Sequence, residues 1–90
     1  MTPTRVKWYA PLDRLFGPEQ EFDLAEPVTV AVFLTRLGET HPDLVQYLRF
    51  GPKDTRPRGL MVLRGATTLT LADLIEPGDK VDILVGIQGG

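Results

Sequence analysis

An α+β fold, a mixed sheet with one main helix packed across it, is predicted by three features of this chain. Strand-like stretches rich in β-branched and aromatic residues lie on both sides of a single helical stretch. That helical stretch places Val30, Phe33, Leu34 and Leu37 at i, i+3, i+4 and i+7, one apolar stripe. Proline and glycine clusters separate the elements at 17–18, 51–59 and 76–79. Ninety residues make one domain with a small core.

Arg5-Val6-Lys7-Trp8-Tyr9-Ala10 alternates as a strand, with Val6, Trp8 and Ala10 on one face, and Pro11 ends it. Trp8 is the largest apolar side chain available and reads as a core anchor. Residues 12–18 form a wide turn. Glu21-Phe22-Asp23-Leu24 alternates again, so a second strand returns antiparallel to the first with Phe22 and Leu24 inward. Thr29 is placed to cap the helix that follows. Val28, Val30 and Val32 lower the intrinsic propensity of this helix, so docking of its stripe on a sheet must hold it. Gly38 weakens or ends it, and His41-Pro42 marks the boundary at the latest.

His41 is the only imidazole, and a helix C-terminus favours it electrostatically, which makes a structural role the simpler reading. Residues 42–48 read as one or two further helical turns. The 51–59 loop carries Lys53, Arg56 and Arg58 without interleaved aromatics, the pattern of a solvated loop more than of a nucleic-acid site. Leu60-Met61-Val62-Leu63-Arg64 is a third strand, apolar on both faces. Met61 and Leu63 are expected inward with Val81 and Ile83, leaving Leu60, Val62 and Leu84 as an outward apolar surface for a partner. Gly65-Ala66 turns the chain into a short strand at 67–69, residues 71–75 form a short helical or 3₁₀ turn, and Pro77-Gly78 sits in a type II β-turn. The last strand runs from Lys80 to Val85.

Net charge is −2 with both signs dispersed, which gives no electrostatic case for nucleic acid or an anionic membrane. No apolar run reaches membrane-spanning length and no signal-peptide pattern opens the chain, so a cytoplasmic protein is expected. Without cysteine and with one histidine, thiolate chemistry, disulfides and a histidine-based metal site are not expected. Functional interest falls instead on the last residues, Ile87-Gln88-Gly89-Gly90. Two glycines carry a high ordering cost and suit a tail that threads into a narrow site where a Cβ would collide. Four extended residues reach roughly 13 Å. The expected division is a folded domain over 1–86 and a flexible Gly-Gly tail over 87–90.

The element order is that of the β-grasp, or ubiquitin-like, arrangement, and four stretches resemble the bacterial sulfur carriers. These are the small subunit of molybdopterin synthase and the thiamine-biosynthesis sulfur carrier. The stretches are Tyr9-Ala10-Pro11-Leu12-Asp13-Arg14, Thr29-Val30-Ala31-Val32-Phe33-Leu34, Pro77-Gly78-Asp79-Lys80-Val81 and the terminal Gly89-Gly90. The resemblance implies a carrier rather than an enzyme. Gly90 would be adenylated by an E1-like adenylating enzyme using ATP and converted by a sulfur donor to a thiocarboxylate. The synthase large subunit, or thiazole synthase, would then receive the sulfur, with molybdopterin favoured over thiamine. Gly89, Gln88, Ile87, Leu84, Val62 and Leu60 would be the partner-binding residues, with no cofactor or metal bound. The chain has no phosphate-cradling G-x-x-x-x-G-K-[ST] stretch and no cysteine for a persulfide, so both activities fall to partners. A ubiquitin-like modifier conjugated through the same carboxylate, and a non-covalent β-grasp binding module, are the alternatives.

Overall fold

The computed structural model describes residues 3–47, 51, 53–57 and 59–85. Strand β1 (Thr4–Trp8) is followed by a short helix α1 (Leu12–Phe16), β2 (Glu19–Phe22), β3 (Val28–Thr29) and the main helix α2 (Val30–Thr40). A 3₁₀ helix (Pro42–Tyr47), β4 (Leu60–Arg64), β5 (Thr67–Thr68), β6 (Leu74–Ile75) and β7 (Lys80–Val85) complete the order. Five strands form one sheet in the order β2-β1-β7-β4-β5, while β3 and β6 pair separately. Strand β1 runs parallel to β7 and antiparallel to β2, and β4 runs antiparallel to β7. This is the expected mixed sheet with one main helix packed across it.

Helix α2 forms where the apolar stripe predicts. Thr29 is its N-cap, its hydroxyl accepting from the Val32 N–H at 3.2 Å. Val30, Phe33, Leu34 and Leu37 are buried against Val6, Trp8, Leu24, Val81 and Ile83 in one core. Phe22 is half-buried and meets Phe33 edge-on, with ring centroids 5.7 Å apart. Gly38 does not end the helix. It is buried within α2, which runs on to Thr40 and closes at His41, whose N–H donates to the Leu37 carbonyl at 2.7 Å.

Residues 71–75 are not helical, because their backbone serves another element. The Asp73 carbonyl accepts from Val30 N–H at 2.9 Å and the Leu71 carbonyl from Ala31 N–H at 3.1 Å, satisfying two donors that open α2. Leu74 and Ile75 then pair with Thr29 and Val28. In the other direction, the expected wide turn at 12–18 contains helix α1, which buries Leu12 completely and ends at Gly17 with φ +86°. The first strand ends at Trp8 rather than Ala10, and the second starts at Glu19.

The largest correction concerns β4. Leu60 and Val62 are buried at 2% and 1% exposure, whereas Met61 is 42% exposed and Leu63 half-buried. A run of four apolar residues has no period-2 signal, so pairing alone decides which face turns inward. Val62 lies opposite Ile83 and Leu60 opposite Val85, and paired residues share a face, so the buried Ile83 carries Val62 inward with it. Leu60 and Val62 are therefore core residues and unavailable as a partner-binding surface.

Two polar devices hold the sheet ends. Buried Thr4 donates its hydroxyl to the Glu76 carbonyl at 3.2 Å and accepts from Gly78 N–H at 3.2 Å, tying β1 to the 76–79 turn. At the opposite end, Gln20 Oε1 stands 3.2 Å from Trp8 Nε1 and 3.0 Å from His41 Nε2. An indole N–H only donates, so the shared Gln20 atom is an acceptor and His41 Nε2 carries a proton toward it. His41 stacks on Phe16 with centroids 4.5 Å apart, so the lone imidazole joins α2 to α1 and β2.

Phe33→Ala should cost about 3–5 kcal/mol through lost burial and a residual cavity, read as a lowered denaturant midpoint. Thr4→Val should cost about 1–3 kcal/mol in the same assay, by leaving the Gly78 N–H without its acceptor and removing one of the two hydrogen bonds to the Glu76 carbonyl. Val62→Arg should abolish cooperative unfolding, while Met61→Arg, at an exposed position, should change stability by no more than about 0.5 kcal/mol. Equal tolerance of both arginines would contradict the assigned faces of β4.

Candidate functional site at the C-terminal end of the central strand

Strand β7 is flanked by β1 and β4, which makes it the central strand of the sheet. Its pairing runs Arg5↔Lys80 through Trp8↔Ile83 on one side and Leu63↔Asp82 through Leu60↔Val85 on the other. The Tyr9 N–H adds a bond to the Ile83 carbonyl at 3.2 Å. Because β1 is parallel and β4 antiparallel to it, the end of β1, the start of β4 and Val85 lie at one edge of the sheet. The four tail residues singled out in the sequence, Ile87, Gln88, Gly89 and Gly90, lie outside the described residues, as does Gly86.

The face of the sheet turned away from α2 is divided. Toward the Val85 end it is apolar: Met61 is exposed, Leu84 stands directly across from it, and Leu63 and Tyr9 are half-buried nearby. Leu84 is half-buried on this outer face, as expected, but its neighbours are Met61 and Leu63 in place of Leu60 and Val62. Away from Val85 the face is charged, with Arg5 between Glu21 and Lys80, and Lys7 between Glu19 and Asp82. The Arg5–Glu21 pair is 3.3 Å apart and its side chains are about half exposed, so screening leaves it little energetic weight. Lys7 turns its ammonium over the Tyr9 ring, 5.3 Å from the centroid, at the border between the halves. Sequence periodicity assigns Tyr9 outward, yet its closeness to Leu84 follows only from the parallel β1–β7 pairing.

A cavity of about 510 Å³ lies on the other side of the molecule, lined by Ala31, Gly51, Asp54, Thr55, Thr70, Leu71 and Ala72. It borders the start of α2, but the N–H groups of Val30, Ala31 and Val32 all donate to protein acceptors there. No anion cradle remains at those three positions. Lys53 and Arg56 of the basic loop are exposed, and Arg58 lies outside the described residues. Among the described residues no group of three or more His, Asp or Glu side chains is placed to hold a metal. Among them, too, no helix is long and apolar enough to cross a membrane.

The sequence matches the model of the ThiS family over residues 6–90. The chain belongs to the ThiS family. Solved structures show the same fold. SAMP1 from Haloferax volcanii aligns with a TM-score of 0.73 at 22% identity, covering 98% of this chain and 99% of that one. H. volcanii small archaeal modifier protein 1 aligns at 0.74 and 23% identity, covering 97% and 100%. A Pyrococcus furiosus protein provisionally assigned as molybdopterin converting factor, subunit 1, aligns at 0.76 and 18% identity, covering 97% and 100%. No curated protein sequence matches. At these identities the structural likeness speaks for the β-grasp fold.

The apolar half beside Val85 predicts a separation of effects. Leu84→Arg and Met61→Arg should each leave thermal unfolding within about 0.5 kcal/mol of the parent, as for other changes at accessible positions. Both should weaken complex formation with the E1-like adenylating enzyme that the family resemblance implies, measured by isothermal titration. Undiminished affinity in both variants would remove this patch from the interface.

Proposed function

We propose that this protein is a sulfur carrier that delivers sulfur as a C-terminal thiocarboxylate for cofactor biosynthesis. The observation that carries this reading is the family match, which runs through to Gly89-Gly90, on a domain whose central strand leads toward those residues. A carboxylate is a weak electrophile. Attack of a Gly90 carboxylate oxygen on the α-phosphorus of ATP, with release of pyrophosphate, gives an acyl-adenylate, and a sulfur nucleophile then displaces AMP. An E1-like adenylating enzyme supplies the ATP site, and a separate donor supplies the sulfur. The domain's part is to present the tail from a fixed base and to offer Met61, Leu63, Leu84 and Tyr9 as an apolar docking patch. Fixing that base holds down the positional freedom of the reacting carboxylate, and ångström-scale misplacement costs about 10²-fold in rate.

The recipient we favour is molybdopterin synthesis, with this chain as the small subunit of the synthase; the likeness to the P. furiosus protein supports it. The thiazole of thiamine is the second destination. The likeness to H. volcanii small archaeal modifier protein 1 supports a different outcome for the same activated carboxylate, an isopeptide bond to a lysine of another protein.

ATP–pyrophosphate exchange with the cognate activating enzyme tests the shared first step. Deleting Gly90 or introducing Gly89→Val should reduce exchange by about 10²-fold without altering thermal stability. Full exchange from the Gly90 deletion would sink both the carrier and the modifier readings. Intact mass of protein from its native cell separates those two: replacement of one oxygen by sulfur marks the carrier, and covalent adducts with other proteins mark the modifier.

A further inference from the structure

We propose that the free edge of β2 is a second docking site, independent of the tail chemistry, which accepts an extended basic segment of another protein as a sixth strand. Strand β2 ends the five-stranded sheet. Its ladder to β1 identifies the backbone groups that remain. Arg5 N–H donates to Asp79 and Tyr9 N–H to Ile83, both toward β7, whereas Trp8 N–H donates to Pro18, toward β2. Even-numbered positions of β1 therefore exchange the bonds with β2. The Arg5↔Glu21 and Lys7↔Glu19 pairs are the non-bonded ones of an antiparallel ladder. The N–H and C=O of Glu19 and Glu21 consequently point away from the sheet. Among the described residues none of these N–H groups donates, and none of these carbonyls accepts, a hydrogen bond.

The side chains along this edge select the occupant. Glu19, Glu21 and Asp23 are exposed, and among the described residues Arg5 is the one cation in an ion pair with them. Lys7, the cross-strand neighbour of Glu19, is turned to Tyr9 instead. A second copy of this chain pairing edge to edge would set Glu19 and Glu21 against their own counterparts, so the charges oppose self-association. Lysine or arginine at alternate positions of an incoming strand would face those carboxylates. The intervening positions would face the half-buried flank of Gln20 and Phe22, beside Phe16. Both of these side chains already have partners within the domain, Gln20 in Trp8 and His41, and Phe22 in Phe33. The strand is thus preorganised for addition, with little ordering left to oppose binding.

The test is titration of the isotope-labelled full chain with a short peptide of alternating valine and lysine, followed by NMR. Amide shifts and slowed hydrogen exchange confined to Glu19 and Glu21 and their neighbours are expected. A peptide N-methylated at alternate residues loses the edge bonds without touching the protein and should bind about tenfold weaker or worse. The Glu19→Lys/Glu21→Lys double variant should reverse the preference toward a valine–glutamate peptide. The proposal is overturned by shifts centred on Tyr9, Met61 and Leu84, by equal binding of the N-methylated peptide, by an unreversed preference, or by no shifts at all.

Discussion

The double pairing of β7 is the constraint on which the rest of this structure depends. Parallel bonds to β1 bring the first and last strands side by side at the centre of the sheet, and antiparallel bonds to β4 close the other side. A slip of one residue in either ladder would turn every side chain of the moving strand to the wrong face. Val81 and Ile83 fix the inner face, and Val6, Trp8, Leu60 and Val62 follow from their register. Helix α2 then has one apolar surface to cover, and its β-branched start is held by that contact more than by intrinsic propensity.

The same pairing makes β7 a suitable base for the tail that the proposed carrier role requires. A strand bonded on both sides resists local opening better than an edge strand, so its last residues hold a defined position and direction. Tyr9, Met61, Leu63 and Leu84 gather beside that exit because three strands end or begin there. In the proposed carrier role the tail's chemistry falls to partners, and three polar groups of the domain are tied into its structure: Thr4 to a turn, and Gln20 and His41 to a junction of elements.

The sheet has two unlike margins. Near β5 the Leu69 N–H donates to the Val62 carbonyl at 2.8 Å, and Arg64 reaches the Leu74 carbonyl and Asp79, so that side is bound to the returning chain. Among the described residues, the β2 margin is guarded by charge, with Glu19, Glu21 and Asp23 exposed along it. Carboxylates there prevent self-pairing and leave a strand of opposite charge as the favourable occupant, so one device serves both solubility and selection.

Much of this was legible in the sequence. The stripe of Val30, Phe33, Leu34 and Leu37, the Thr29 cap, the turn at Pro77-Gly78 and the order of the main strands are local patterns, written in spacing and backbone preference. Residues 71–75 were not legible, since an extended conformation there depends on supplying carbonyls to a helix distant in the chain. Helix α1 is not legible because five residues are too few for a periodic signal; of the two stops offered for α2, Gly38 and His41-Pro42, burial of Gly38 within the helix leaves the second. The faces of β4 stood beyond any local pattern: Leu60 to Leu63 are all apolar, and only pairing with β7 put Val62 inward and Met61 out. By itself the sequence determined the main strands and the main helix, and it pointed to the terminal glycines. The tertiary structure alone decided which apolar residues meet solvent beside Val85, because that choice is made by long-range register and not by the order of residues along the chain.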